Sequence, residues 1–152
     1  MKLIKTFLLA LCFLTLSHSS FSQNIAVQKI DSICKTIDSV SLTFKKVAIK
    51  GLGRQKLNSI KLFYIDTLSN VFRKVLYQQM DDKVINTYYY KDRQLIKLAL
   101  SKKYGKKESQ LGVYYFQNGQ VIYKADKRHP IKNLKPYLDN AKEYLDDPII
   151  IH

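Results

Sequence analysis

Few residues in this chain of 152 could perform catalysis or hold a metal ion. Of the three histidines, His18 lies in an apolar N-terminal region and His152 is the final residue of the sequence, which leaves His129 in the body. The two cysteines are Cys12, also in the N-terminal region, and Cys34. A zinc site needs three or four ligands at characteristic spacings, and a weak nucleophile needs a partner base. One histidine and one cysteine therefore predict no metal site and no cofactor.

The carboxylates are as sparse in catalytic patterns as the histidines. Glutamate occurs only at positions 108 and 143, and Asp81-Asp82 and Asp146-Asp147 are adjacent pairs in a predicted turn and at a predicted helix end. Paired catalytic carboxylates face each other across a cleft, which neighbouring turn residues rarely do. No G-x-S-x-G, H-E-x-x-H, Walker or G-x-G-x-x-G motif occurs. The sequence favours a non-enzymatic protein, with a hydrolase using an atypical Asp/Tyr/Lys site as an alternative.

Cys34 has two interpretations. It lies one position from an apolar stripe that includes Ile33 and Ile37, so it is expected to be a small buried side chain. An unpaired cysteine in a secreted protein can instead be a reactive thiol that forms a mixed disulfide with a partner, and this is the alternative for Cys34.

Positive charge is the feature with most bearing on function. The chain has 26 Lys and Arg against 12 Asp and Glu, a net charge of +14. Lysine outnumbers arginine 22 to 4, whereas nucleic-acid recognition favours arginine, so no nucleic-acid partner is expected. The predicted partner is an anionic envelope component or an acidic protein, unless the charge serves solubility alone. The candidate binding residues, from two basic segments and one tyrosine run, are Lys50, Arg54, Lys56, Lys102, Lys103, Tyr104, Lys106, Lys107 and Tyr89. Further cations lie in 124–132.

Residues 1–22 have the pattern of a cleaved signal peptide. Lys2 and Lys5 precede an eleven-residue apolar run, and small residues at Ser20 and Ser22 match a cleavage site before Gln23. The run is about half of the ~20 residues that a membrane span needs. We expect export to the bacterial periplasm or the extracellular space, with no transmembrane segment after cleavage. Residues 23–152 would then form a single domain with a net charge of +12 and no internal disulfide.

Two segments have helical periodicity. In the first, apolar residues recur every three or four positions over 26–47, and Gly51 and Gly53 follow. In the second, over 134–146, apolar residues share one face, with Asn133 as N-cap and Pro136 in the first turn. The stripe of the first segment, expected to cover one face of a sheet, is Ala26, Ile30, Ile33, Ile37, Val40, Phe44 and Val47.

The region 59–126 between these helices has the texture of antiparallel strands. It contains no proline and nine of the eleven tyrosines, and turn dipeptides interrupt it at regular intervals. Asn118-Gly119 is the strongest signal, because both residues accept the positive φ of a type I′ turn. The predicted strands lie near 59–66, 71–79, 84–91, 94–101, 110–117 and 120–126.

A short repeat lies within this region. The segment 88–96 (YYYKDRQLI) aligns with 114–122 (YYFQNGQVI) at an offset of 26 residues. It resembles the tyrosine and Asn-Gly hairpins of MORN-type repeat proteins, without that family's regular glycines and shorter period, and we carry no function over. Because side chains alternate along a strand, Tyr88 and Tyr90 must lie on the opposite face from Tyr89.

These patterns together predict an α+β domain: a long N-terminal helix on an antiparallel meander of about six strands, then a C-terminal helix. The predicted function is an exported, non-enzymatic binding or interaction module, of inhibitor or immunity type among other possibilities. A carrier of an apolar ligand, with a cavity between helix 26–47 and the sheet, is a further alternative.

Overall fold

Seven antiparallel strands form one sheet, in the order of the chain, with a helix against each face. The computed structural model describes residues 23–50, 59–69, 71–79, 83–105, 107–126 and 131–146. Within these described residues, helix α1 covers positions 23–40 and helix α2 covers Lys135–Asp146. The strands are β1 (Lys45–Lys50), β2 (Ser59–Asp66), β3 (Val71–Gln79), β4 (Val84–Lys91), β5 (Gln94–Tyr104), β6 (Lys107–Gln117) and β7 (Gln120–Asp126). No helix in the described part of the chain has the length and hydropathy that crossing a membrane requires.

The predicted α+β class and antiparallel meander are confirmed, but the sheet has seven strands instead of six. The six predicted strands correspond to β2 through β7. The strand missing from that prediction is β1, which pairs with β2 over its whole length. The C-terminal helix begins after its predicted cap, since Asn133 Oδ1 accepts a hydrogen bond from the Lys135 N–H at 3.0 Å.

The predicted helix 26–47 is wrong in its last third. Helical structure ends at residue 40, a turn follows over 41–44, and the chain then enters β1. The Ser41 hydroxyl donates a 2.8 Å hydrogen bond to the Asp38 carbonyl, and the Thr43 hydroxyl donates one of the same length to the Val40 carbonyl. These local hydrogen bonds give the backbone an alternative to the helix. Val47, predicted as the end of a helical stripe, instead lies within β1 and packs against the α2-side core.

The two copies of the repeat, 88–96 and 114–122, form two hairpins with the same turn and bulge. Asn118 and Gly119 both have positive φ, 51° and 76°, as the I′ turn requires, and Asp92 and Arg93 adopt the same conformation at 50° and 58°. Each hairpin then contains a bulge at the equivalent position of its second strand, at Ile96 and at Ile122.

The two helices bury opposite faces of the sheet, and tyrosines supply much of both cores. Against α2 lie Tyr88, Tyr90 and Tyr114, together with Phe63, Val75, Leu98 and Phe116. Against α1 lie Tyr89 and Tyr115 with Val113, packed on Ile30, Cys34 and Ile37. The alternation within each aromatic run therefore distributes its rings as the pleat requires.

Candidate functional site

The basic segments meet at one end of the sheet. In a meander, the links β1–β2, β3–β4 and β5–β6 and the end of β7 all lie at the same end, because successive strands reverse direction. We call this the basic end and define it by Lys50, Lys83, Lys102, Lys103, Tyr104 and Lys107. Its members are distributed over positions 50–107 of the sequence, and the order of the strands brings them to the same end. Lys124 lies nearer the middle of the sheet, opposite Tyr114 in the strand register.

The β5–β6 hairpin forms the centre of the basic end. Lys103, Tyr104 and Lys107 are exposed, Tyr104 at 57%, and Lys102 Nζ lies 5.6 Å from the centre of the Tyr104 ring. The Lys103 N–H donates to the Lys83 carbonyl at 3.0 Å, which joins this hairpin to the β3–β4 link. Glu108 is opposite Lys103 in the strand register, so the end is predominantly and not purely cationic.

The other predicted binding residues have different positions. Arg54, Lys56 and Lys106 lie outside the described residues, although the strand ends that flank them are at the basic end. Tyr89 is only 8% exposed and lies beneath α1, so it is not part of an accessible surface.

A row of lysines and tyrosines, which alternate from β1 to β6, crosses the α1-side face. Each of the seven strands contributes one residue, and each is opposite the next in register. This lysine–tyrosine row consists of Lys46, Tyr64, Lys74, Tyr89, Lys97, Tyr115 and Tyr123. Each ammonium group lies 5.1–5.9 Å from the centre of every tyrosine ring next to it in the row, within the range of cation–π attraction.

Helix α1 places two carboxylates on this row. Asp31 accepts from Lys97 Nζ at 2.5 Å and from the Tyr115 hydroxyl at 3.0 Å. Asp38 accepts from Lys74 Nζ at 2.7 Å and from the Tyr89 hydroxyl at 3.0 Å. Seven helical residues advance about 10.5 Å and two strands span about 9.6 Å, so the helix crosses the strands almost at right angles. Tyr89 and Tyr115 are equivalent positions of the repeat.

The electrostatics of the row reflect this pairing. Burial by itself lowers the pKa of Lys97, but the hydrogen bond to Asp31 and nearby groups outweigh it and raise the pKa overall. Burial and the Asp38 carboxylate both raise the pKa of Tyr89. Lys97 is therefore charged and Tyr89 neutral at ordinary pH, as their hydrogen bonds to the carboxylates require.

Cys34 is placed as a buried apolar residue would be. It is 3% exposed and packs in the α1-side core. Burial raises the pKa of its thiol to about 12, so almost none of it is thiolate near neutral pH. These properties argue against the reactive-thiol interpretation.

Two grooves flank the helices. One, of about 560 Å³, lies between α2 and the β4–β5 and β6–β7 turns and is lined by Leu95, Phe116, Leu138 and Leu145 with one carboxylate, Asp139. The other, of about 720 Å³, lies at the C-terminal end of α1, and its one carboxylate is Asp66. Among the residues that the structure describes, neither groove presents the facing carboxylates that the hydrolase alternative needs. Within the described residues, no three His, Cys, Asp or Glu side chains are grouped so as to hold a metal ion.

The lysine–tyrosine row was not predicted from the sequence. Its members are scattered over nearly eighty positions, and only the strand register aligns them. Two partial signals exist: Asp31 and Asp38 are one heptad apart, and Tyr89 and Tyr115 are one repeat apart.

The chain matches no family model, and comparisons with curated proteins and with solved structures give no match either. Function must therefore be inferred from the site itself.

Proposed function

We propose that this protein is an exported, non-enzymatic binding module whose basic end contacts an anionic partner, either an envelope component or an acidic protein. The observation that supports the proposal most directly is the convergence of basic segments from separate parts of the chain on one end of the sheet. The N-terminal signal pattern supports export. The sparse catalytic patterns of the sequence, with no metal-ligand cluster among the described residues, support a binding role.

Lysine suits such a surface better than it suits a geometrically specific site. Its ammonium group is a strongly hydrated point charge on a flexible stem, so it attracts anions without fixing their orientation. Lys103 and Lys107 are exposed, and Tyr104 adds an amphipathic ring that can contact a partner beside them. The expected binding is therefore electrostatic and sensitive to salt.

Charge reversal at the β5–β6 hairpin tests this function. We expect the triple variant K102E/K103E/K107E to bind vesicles containing phosphatidylglycerol at least ~100-fold more weakly, since each lysine near an anionic surface contributes about 1 kcal/mol. Co-sedimentation at low and high salt measures it, and polyglutamate in place of vesicles tests an acidic-protein partner.

The matched control is K29E/K35E/K142E, which makes the same change of net charge on exposed helix positions. Equal losses in the two triple variants would mean that net charge alone attracts the probe. Binding to both probes that high salt leaves unchanged would contradict an electrostatic contact. Either result would reject the proposed function.

A second candidate function, an apolar-ligand carrier, is favoured by the 720 Å³ groove at the end of α1. Its size is that of small-molecule sites, and Ile33, Ile37 and Val40 form its apolar wall, with Arg73 and Lys91 also lining it. The helix–sheet interface beside it is packed, because Ile30, Cys34 and Ile37 are buried. The groove therefore suits a ligand that lies against the surface.

Filling the groove tests the carrier function. Val40 is 41% exposed, so Val40→Trp is expected to occupy the groove without disturbing the core and to weaken binding of anilinonaphthalene sulfonate about tenfold. Dye fluorescence measures it. Val121→Trp, at a similarly exposed valine on β7, is the control, and equal dye affinity in the two variants would reject the groove as the site.

A further inference from the structure

The α1-side face of the sheet is only partly covered by α1. The helix packs on β4, β5, β6 and β7 through Tyr89, Ala99, Val113 and Ile122. On the same face, β1, β2 and β3 carry a second, apolar row beside the lysine–tyrosine row, formed by Ala48, Leu62 and Leu76 in register. Ala48 is exposed and both leucines are partly exposed. We call these three residues and Lys46 with Tyr64 the open half of the face.

The covered part shows what chemistry this face accepts. An apolar helix stripe packs on the sheet while carboxylates one heptad apart meet lysines two strands apart, Asp38 on Lys74 and Asp31 on Lys97. The match between about 10.5 Å per heptad and about 9.6 Å per two strands makes this pairing periodic.

The third lysine in this period is Lys46, two strands beyond Lys74 on β1. Helix α1 ends at residue 40, and the next heptad position after Asp38 is Lys45, which already belongs to β1. Lys46 is exposed, and its Nζ lies 5.7 Å from the centre of the Tyr64 ring. No carboxylate among the described residues lies within ion-pair distance of it.

We propose that the open half binds an amphipathic, acidic helix of a partner protein, with a carboxylate on Lys46 and its apolar side on Leu62 and Leu76. The partner's charge complements a strongly cationic chain, and its pattern repeats the one that α1 presents to the same sheet face. This surface is on the sheet face and separate from the basic end. Its partner is a protein helix, whether or not the basic end binds anions.

The test uses a synthetic peptide of residues 23–40 with Cys34→Ser, because this segment has the required stripe and carboxylates. Lys29→Glu and Lys35→Glu in the peptide replace its two lysines and give it the net negative charge of the proposed partner helix. We expect the purified protein to bind it, and K46E to weaken the affinity about tenfold or more through loss of the ion pair and repulsion. The same peptide with Asp31→Asn and Asp38→Asn should lose affinity to a similar degree. Fluorescence anisotropy of labelled peptide measures both.

Two controls distinguish binding at the open half from binding elsewhere on the protein. K124E makes the same charge change on β7, at the other edge of the sheet, and should leave peptide affinity within about twofold of the parent. If the peptide instead exchanges with α1 of the protein, affinity will not depend on Lys46. Unchanged binding by K46E, an equal loss in K124E, or no binding by the parent protein would each overturn the proposal.

Discussion

Raising the pH from about 9 to about 11 is expected to unfold this protein steeply. Burial raises the pKa of four core tyrosines, Tyr88, Tyr89, Tyr90 and Tyr144. In the unfolded chain they ionise near pH 10, whereas the folded state holds them neutral above that pH. Their contribution to stability is therefore complete below about pH 10 and is lost as the pH rises above it. Each such proton lowers the free energy of unfolding by about 1.4 kcal/mol per pH unit, so four tyrosines give about 5 kcal/mol per unit.

Urea unfolding followed by circular dichroism between pH 8 and pH 11 measures this slope. Tyr144→Phe removes one titrating hydroxyl and should reduce the slope by about 1.4 kcal/mol per pH unit. Tyr104→Phe, at an exposed tyrosine, should leave it unchanged. A free energy of unfolding that is constant through pH 11 would show that these tyrosines ionise in the folded state, contrary to their burial.

Tyr144→Ala is expected to destabilise the fold by about 3–5 kcal/mol. Tyr144 is 1% exposed and connects α2 to the sheet through edge-to-face contacts with Tyr88, at 5.2 Å between ring centres, and Phe63, at 6.0 Å. Lys61 Nζ lies 4.9 Å from the ring. Truncation leaves a cavity at the centre of the α2-side core and removes these aromatic contacts, and losses of this size are typical of large buried side chains.

Because a domain of this kind is stabilised by only about 5–15 kcal/mol, the loss is a large share of the total. Chemical denaturation at pH 7 measures it. Tyr104→Ala, at a side chain 57% exposed, should change the free energy of unfolding by less than about 0.5 kcal/mol. A similar small change in Tyr144→Ala would mean that α2 does not hold the core as its contacts indicate.

The two helices secure the sheet by different chemistry. On the α2 side, apolar and aromatic packing dominates, and the Tyr90 hydroxyl donates a buried hydrogen bond to the Ala141 carbonyl at 3.1 Å. On the α1 side, the apolar contacts are fewer and two carboxylates are held by lysines and tyrosines of the row. A face that already accepts carboxylates from its own helix provides the physical basis for the partner helix that we propose on its open half.

Local chemistry made most of the strands predictable. Turn residues such as Asn118-Gly119 adopt positive φ at low cost wherever they occur, and alternation along a strand assigns Tyr88 and Tyr89 to opposite faces without further information. Reasoning from near neighbours also explains the two errors in the predicted fold, the overlong first helix and the missing strand β1. Spacings of three and four residues over 26–47 fit a helix, but hydroxyl hydrogen bonds at Ser41 and Thr43 and pairing with β2 decide in favour of a turn and a strand.

The scarcity of catalytic groups, the excess of lysine, the hairpins and the two-faced tyrosine runs are predictable without a structure, because each depends on composition or on neighbours within a few positions. The end of α1, the seventh strand, the lysine–tyrosine row and the position of basic segments at one end become visible only in the folded chain. These features depend on which strands pair and in what register. Register is set by packing between residues far apart in the chain, such as Lys46 with Tyr64 and Lys97 with Tyr115.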